Sequence, residues 1–180
     1  MIIPFGAVGD ALANELSFAP GEAEMLATSA LRMLVAVLLG GVLGLEREWA
    51  GKIAGLRTHM LTALGAALFV LAPRAAGMND ESVSRIIQGV IAGIGFLGGG
   101  VILKQDETGR IRGVTSAAGI WLTAAIGISA GMGRLWLAAL TTALAIVILL
   151  GLLRLERWIP HEAHEDPQHL KKPAHQSHSK

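Results

Sequence analysis

The sequence predicts an all-α integral membrane protein with about five transmembrane helices, its N-terminus outside and its C-terminus in the cytoplasm. Three observations carry that expectation. Across 180 residues, 52% of side chains are hydrophobic and 16% are charged, which is too apolar for an ordinary soluble domain. The apolar residues gather into runs of about 17–20, the length of helix that crosses a hydrocarbon core. The basic residues cluster in alternate connections between those runs, as the positive-inside rule requires of a multi-pass protein.

Residues 1–27 are expected as an extracytoplasmic segment. No Lys or Arg precedes Arg32, and Asp10, Glu15, Glu22 and Glu24 fall early, so a cleavable signal with a basic start does not fit. Gly6 to Phe18 suits a short surface helix. Pro20-Gly21 then breaks the chain, and Glu22 and Glu24 suit the positive end of a helix dipole. Residues 28–158 form the membrane domain. Its spans are read as Thr28 to Leu45, Thr58 to Ala76, Ile86 to Leu103, Val114 to Ala130, and Leu135 to Leu153.

Each span has its own justification. The second is interrupted by Pro73-Arg74, and its cleanest apolar part is only about 22 Å long; Arg74 is expected to snorkel outward. The third contains "GIGFLGGG", a literal G-x-G-x-x-G through Gly93, Gly95 and Gly98. A dinucleotide turn would need a preceding strand and an acidic residue about 20 positions on, and the surrounding stretch Ile86 to Leu103 carries no charge at all. These glycines instead suit close helix contact, with Gly89 and Gly93, then Gly95 and Gly99, on common faces, and Gly98 and Gly100 beside them. Trp136 and Trp158 bracket the fifth span with one ring for each interface.

Eleven basic residues fall on one side, namely Arg47, Lys52, Arg57, Lys104, Arg110, Arg112 and five in the tail, against Arg32, Arg74, Arg85 and Arg134 on the other. That bias places the tail and the loops near Arg47 and Arg110 in the cytoplasm. The hairpins "LLGGVLGLEREWAGKIAGLRTHMLTALGAA" and "FLGGGVILKQDETGRIRGVTSAAGIWLTAA" echo each other and enter the membrane in the same direction, the pattern of a parallel repeat.

Chemistry inside the spans is sparse. No Asp, Glu, Lys or Arg lies mid-span; Thr62, Gln88, Thr115, Ser116, Thr123, Ser129, Thr141 and Thr142 are the polar side chains available, and such groups mostly bond their own carbonyls or a neighbouring helix. No nucleophile and base stand at a believable spacing, so no enzyme is expected. The absence of Cys removes thiol chemistry and thiolate metal sites. No metal, cofactor or nucleic acid is expected. The tail, residues 159–180, is His-rich and expected to be disordered; Pro167 and Pro173 interrupt any metal-binding face that His161, Glu162, His164 and Glu165 would form.

The sharper feature is an inner-face polar patch. Glu46, Arg47 and Glu48 end the first span, Arg57, Thr58 and His59 begin the second, and Arg112 precedes the fourth. One reading is a positive-inside anchor with surface ion pairs, which contribute little; another is a pre-formed site for an anion, a lipid headgroup or a partner. Glu46 and Glu48 lie two apart, hence about 200° apart on a helix. One must turn inward, and Glu46 is expected to do so, pairing with Arg57 or Arg112.

The segments "LGLEREWAGKIAGLRTHML", "GIGFLGGGVIL" and "RGVTSAAGIWLTAAIG", in that order and spacing, resemble the MgtC/SapB family of bacterial inner-membrane proteins over roughly Leu31 to Leu155. The resemblance implies a non-enzymatic, multi-pass membrane protein linked to growth at low Mg²⁺, to stress adaptation and, in pathogens, to survival inside host cells. For MgtC-type members it implies interference with the F-type ATP synthase. With a short polar tail where MgtC continues into an ACT-like domain, the chain is expected to be closer to the short, SapB-like members. The expected partners are the bilayer and either a second copy or another membrane complex. A transporter or channel for Mg²⁺ or another small ion is the alternative.

Overall fold

In the computed structural model, Gly9 and residues 21–102 and 112–156 are described. The surface helix expected over Gly6 to Phe18, the basic residues Lys104 and Arg110, the interfacial Trp158 and the His-rich tail lie outside them, apart from Gly9. Five helices follow in order: α1 (Glu22–Trp49), α2 (Leu56–Ala75), α3 (Asp80–Ile102), α4 (Val114–Gly131) and α5 (Leu135–Glu156). Among the described residues there is no strand. The first four helices are long and apolar enough to cross a membrane; α5 runs for 22 residues and is apolar over Leu135–Gly151.

The helices start and stop where local chemistry dictates. Gly21, at φ 99°, turns the chain into α1, and Glu22 and Glu24 occupy its first turn. α3 begins well before the uncharged run at Ile86 because Asn79 caps it, its Oδ1 accepting the Ser82 N–H at 2.9 Å. Asp80 and Glu81 then sit at the positive end of the dipole, and Glu81 pairs with Arg85 one turn on. α2 continues through Pro73 to Ala75. Arg74 reaches out of the bundle to Asp80, with Nη2 3.2 Å from Oδ1.

Packing inverts the logic of a soluble bundle. The buried cluster is Ala36, Leu43, Ala63, Ala67, Ile126, Ala130, Ala138 and Ala145, while Leu34, Leu38, Leu61, Phe69, Phe96, Leu144 and Val147 face outward. Small residues inside and large apolar ones outside is what bilayer packing favours, since helix association there rests on close backbone approach. α4 touches all four other helices; among the described residues α3 touches only α2 and α4, and α5 only α1 and α4. The centre of the bundle is therefore α1, α2 and α4.

Glycines set that centre. A Cβ on Gly40 would lie 2.8 Å from both the Ala63 Cβ and the His59 carbonyl oxygen, and one on Gly131 would lie 2.7 Å from the Ala67 carbonyl oxygen. A Cβ on Gly127 would collide with the Ala63 carbonyl. Helix α2 is thus clasped from two sides by Gly-xxx-Gly faces, Gly40 with Gly44 from α1 and Gly127 with Gly131 from α4. The intrachain clasp does not use the glycines of α3: among the described residues nothing lies within 4 Å of a Cβ at Gly89, Gly93, Gly95, Gly99 or Gly100, and only Gly98 meets a neighbour, the Ala117 Cβ at 3.5 Å.

Candidate functional site

The polar patch at the junction of α1, α2 and α4 divides into a buried and an exposed half. The α1–α2 turn is closed by Glu48, whose exposed carboxylate accepts the Leu56 N–H at 2.9 Å, a charge-assisted cap on the first turn of α2. Two residues earlier, Glu46 points inward and is 8% exposed beside Arg47 at 2%. The guanidinium grips the carboxylate in a fork, Nε to Oε2 and Nη2 to Oε1, the latter at 2.6 Å.

That pairing corrects the expected partner of Glu46. Arg57 is exposed at the start of α2, as is Thr58, and Arg112 is exposed before α4; the partner is the adjacent Arg47. Neighbours along a helix do not ordinarily face each other, but the Arg side chain is long enough to fold back across its own backbone. Two buried opposite charges remain tolerable only because the fork satisfies both.

His59 is the other buried member. It is 0% exposed, and its Nδ1 lies 2.9 Å from the Gly55 carbonyl oxygen. A carbonyl only accepts, so Nδ1 carries the proton and Nε2 is left as a bare acceptor. Nε2 is buried with no hydrogen-bond partner among the described residues. It faces α4 at Gly119, where a Cβ would lie 3.2 Å from it. One turn further, Thr123 Oγ1 donates to the Gly119 carbonyl at 2.8 Å. Gly44 allows the whole arrangement, since a Cβ there would lie 2.9 Å from the His59 Cβ.

The structure therefore brings Glu46, Arg47 and His59 into one buried layer and leaves Glu48, Arg57, Thr58 and Arg112 on its rim. Gly44, Gly119 and Thr123 complete the layer; the two glycines were not singled out by sequence, and Thr123 was named only as a polar side chain of its span. The spacing of Gly40 and Gly44, four apart, was the signal that would have found Gly44; Gly119 carries no such signal. Among the described residues no three of His, Asp and Glu gather as a metal site.

A second feature lies along α3. Gly89 and Gly93 line an apolar groove of about 510 Å³ with Ile86, Val90 and Leu97, and Phe69 of α2 forms the opposite wall. Of the described residues of α3, only Val83 and Gly98 are buried.

The MgtC family model matches residues 33–158. The chain is 42% identical over 134 residues to the uncharacterized protein slr0014 of Synechocystis, covering 74% of this chain and 56% of that protein. It is 43% identical over 137 residues to protein SrpB of Synechococcus elongatus, covering 70% of this chain and 75% of SrpB. With protein MgtC of Salmonella typhimurium the identity is 43% over 104 residues, 58% of this chain and 43% of MgtC. The chain thus spans about half the length of slr0014 and of MgtC. No solved structure matches.

Proposed function

The chain belongs to the MgtC family, and from that premise we propose that it is a non-enzymatic protein of the bacterial inner membrane that acts by helix-mediated association, with a second copy or another membrane complex, during adaptation to Mg²⁺ limitation or a related stress. The F-type ATP synthase is a candidate partner by the family resemblance. The excess of basic residues in the loops near Arg47 and Arg110 supports a cytoplasmic position for the Glu46–Arg47 end of the bundle.

The observation that carries this reading is the unpacked face of α3. Gly89 and Gly93 offer a close-approach surface that nothing among the described residues occupies, whereas every comparable glycine pair of α1 and α4 is filled by α2. Such faces favour backbone contact between helices in lipid. The ion-conductor alternative needs exposed carbonyls in the glycine segment, and α3 is an unbroken helix from Asp80 to Ile102, which commits its carbonyls ahead of the last turn to its own ladder.

Gly93→Leu is the direct test. A side chain there meets open space among the described residues, and Leu is a better helix former than Gly by about 1 kcal/mol, so the fold is retained. Association, read as the mass of the detergent-extracted or nanodisc-held particle, should fall. An unchanged mass, with retained helical signal, would remove the support for association through α3.

A further inference from the structure

At the N-terminal end of α4, on the same end of the bundle as the buried layer, lies a cleft of about 410 Å³ bordered by Lys52, Arg112, Gly113, Thr115 and Ser116. We propose that this cleft binds a phosphate-type oxyanion, held by the N–H groups of the first turn of α4, the hydroxyls of Thr115 and Ser116, and the Lys52 ammonium.

The backbone supplies the first part. Gly113 takes φ 94° and forms the N-cap of α4 with no side-chain cap. The first intrahelical bond of the turn runs from Ala117 N to Gly113 O at 2.8 Å, so the N–H groups of Val114, Thr115 and Ser116 point out of the helix start with no carbonyl before them to receive them. Gly113 is fixed in place by a second constraint, because a Cβ there would lie 2.6 Å from the Val101 carbonyl oxygen. The turn therefore aims three donors, at the positive end of an 18-residue helix, into the cleft.

Ser116 supplies the independent second part. It is 2% exposed yet borders the cleft, and its hydroxyl forms no hydrogen bond among the described residues. Its neighbours on α4 behave differently: the Thr123 and Ser129 hydroxyls bond back to carbonyls four residues earlier, which is how such groups are satisfied in an apolar helix. For Ser116 that carbonyl belongs to Arg112, outside the helix, and the hydroxyl is left without that acceptor at the border of the cleft. Lys52, exposed in the α1–α2 turn and without an ion pair among the described residues, adds a mobile positive charge at the mouth.

Backbone donors, two hydroxyls and an ammonium around one space form an acceptor-seeking set, which a tetrahedral oxyanion with several acceptor oxygens satisfies. A phospholipid headgroup at the interface and a soluble phosphate share that chemistry. The experiment separates them. The protein is reconstituted in phosphatidylcholine nanodiscs and titrated with inorganic phosphate by calorimetry; in parallel, native mass spectrometry reads whether phosphatidylglycerol is retained over phosphatidylcholine. Binding of phosphate assigns a soluble ligand, selective retention of phosphatidylglycerol assigns a headgroup, and absence of both overturns the proposal.

Two variants then distinguish a built site from general attraction to a basic surface. Lys52→Gln and Ser116→Ala should each weaken the observed binding about tenfold. Ser116→Ala changes no charge, so only a site that uses its hydroxyl responds to it. Thr115→Val, at an exposed position, serves the same purpose if the buried change disturbs folding. Loss with Lys52→Gln alone, and none with either hydroxyl variant, would overturn the site in favour of surface attraction.

Discussion

Replacing Glu46 by Gln leaves the Arg47 guanidinium charged, with its side chain 2% exposed, facing a neutral amide in place of a carboxylate. Removing one partner of a buried pair costs about 3–5 kcal/mol, because the remaining charge stays desolvated without compensation. The Glu46 side chain is 10% exposed, so some water reaches the pair and the lower end, about 3 kcal/mol, applies. Glu48→Gln is the matched control: its carboxylate is exposed, and an amide oxygen still accepts the Leu56 N–H, for a loss of about 0.5–1 kcal/mol. Unfolding in mixed micelles titrated with dodecyl sulfate and followed by circular dichroism should separate the two by about 2 kcal/mol. The double change Glu46→Gln with Arg47→Met removes the stranded charge and should cost less than the sum of its parts. Equal losses for Glu46→Gln and Glu48→Gln, or strict additivity in the double variant, would refute the buried fork.

Gly127→Ala forces a Cβ against the Ala63 carbonyl, which is backbone and cannot swing aside, and should destabilise by about 1–3 kcal/mol; Gly99→Ala, with open space around it, should be neutral or stabilise by up to about 1 kcal/mol in the same assay. A reporter active only in the cytoplasm should give signal when fused after Gly109 and none when fused at Asn79; the reverse pattern would invert the proposed orientation.

The helices themselves were legible because hydropathy in a bilayer protein is read residue by residue from the length of apolar runs. Val114 was expected as the start of a span and is the first residue of α4. The start of α3 was set six residues too late, since hydropathy registers the loss of charge at Ile86 whereas the helix begins at its Asn79 cap. Partner choice was the harder part. Gly89 and Gly93 have the same four-residue spacing as Gly40 and Gly44 or Gly127 and Gly131, yet among the described residues only the latter two pairs are filled. Spacing identifies a close-approach face but carries no information about which helix fills it. The patch was similarly half-legible: the 200° separation of Glu46 and Glu48 requires one inward carboxylate, and Glu46 is buried. Its pairing with Arg47 depends on a side-chain fold that a helical wheel does not represent. The bare Nε2 of His59 depends on the Gly55 carbonyl and on Gly119 two helices away, which no single segment reveals.

The central claim, association through α3, has a direct measurement available because the chain contains no cysteine. Single substitutions Gly89→Cys and Gly93→Cys, on the open face of α3, are compared in native membranes with Val147→Cys, on α5, which is 66% exposed, using a short membrane-permeant bis-maleimide crosslinker and, for partners without a thiol, a thiol-reactive photoactivatable probe. The α3 positions should give a discrete crosslinked product, a dimer of this chain or a band of fixed larger mass, and Val147→Cys should give none. Products of equal yield at all three positions, or none at Gly89 and Gly93, would contradict the assignment of α3 as the associating face.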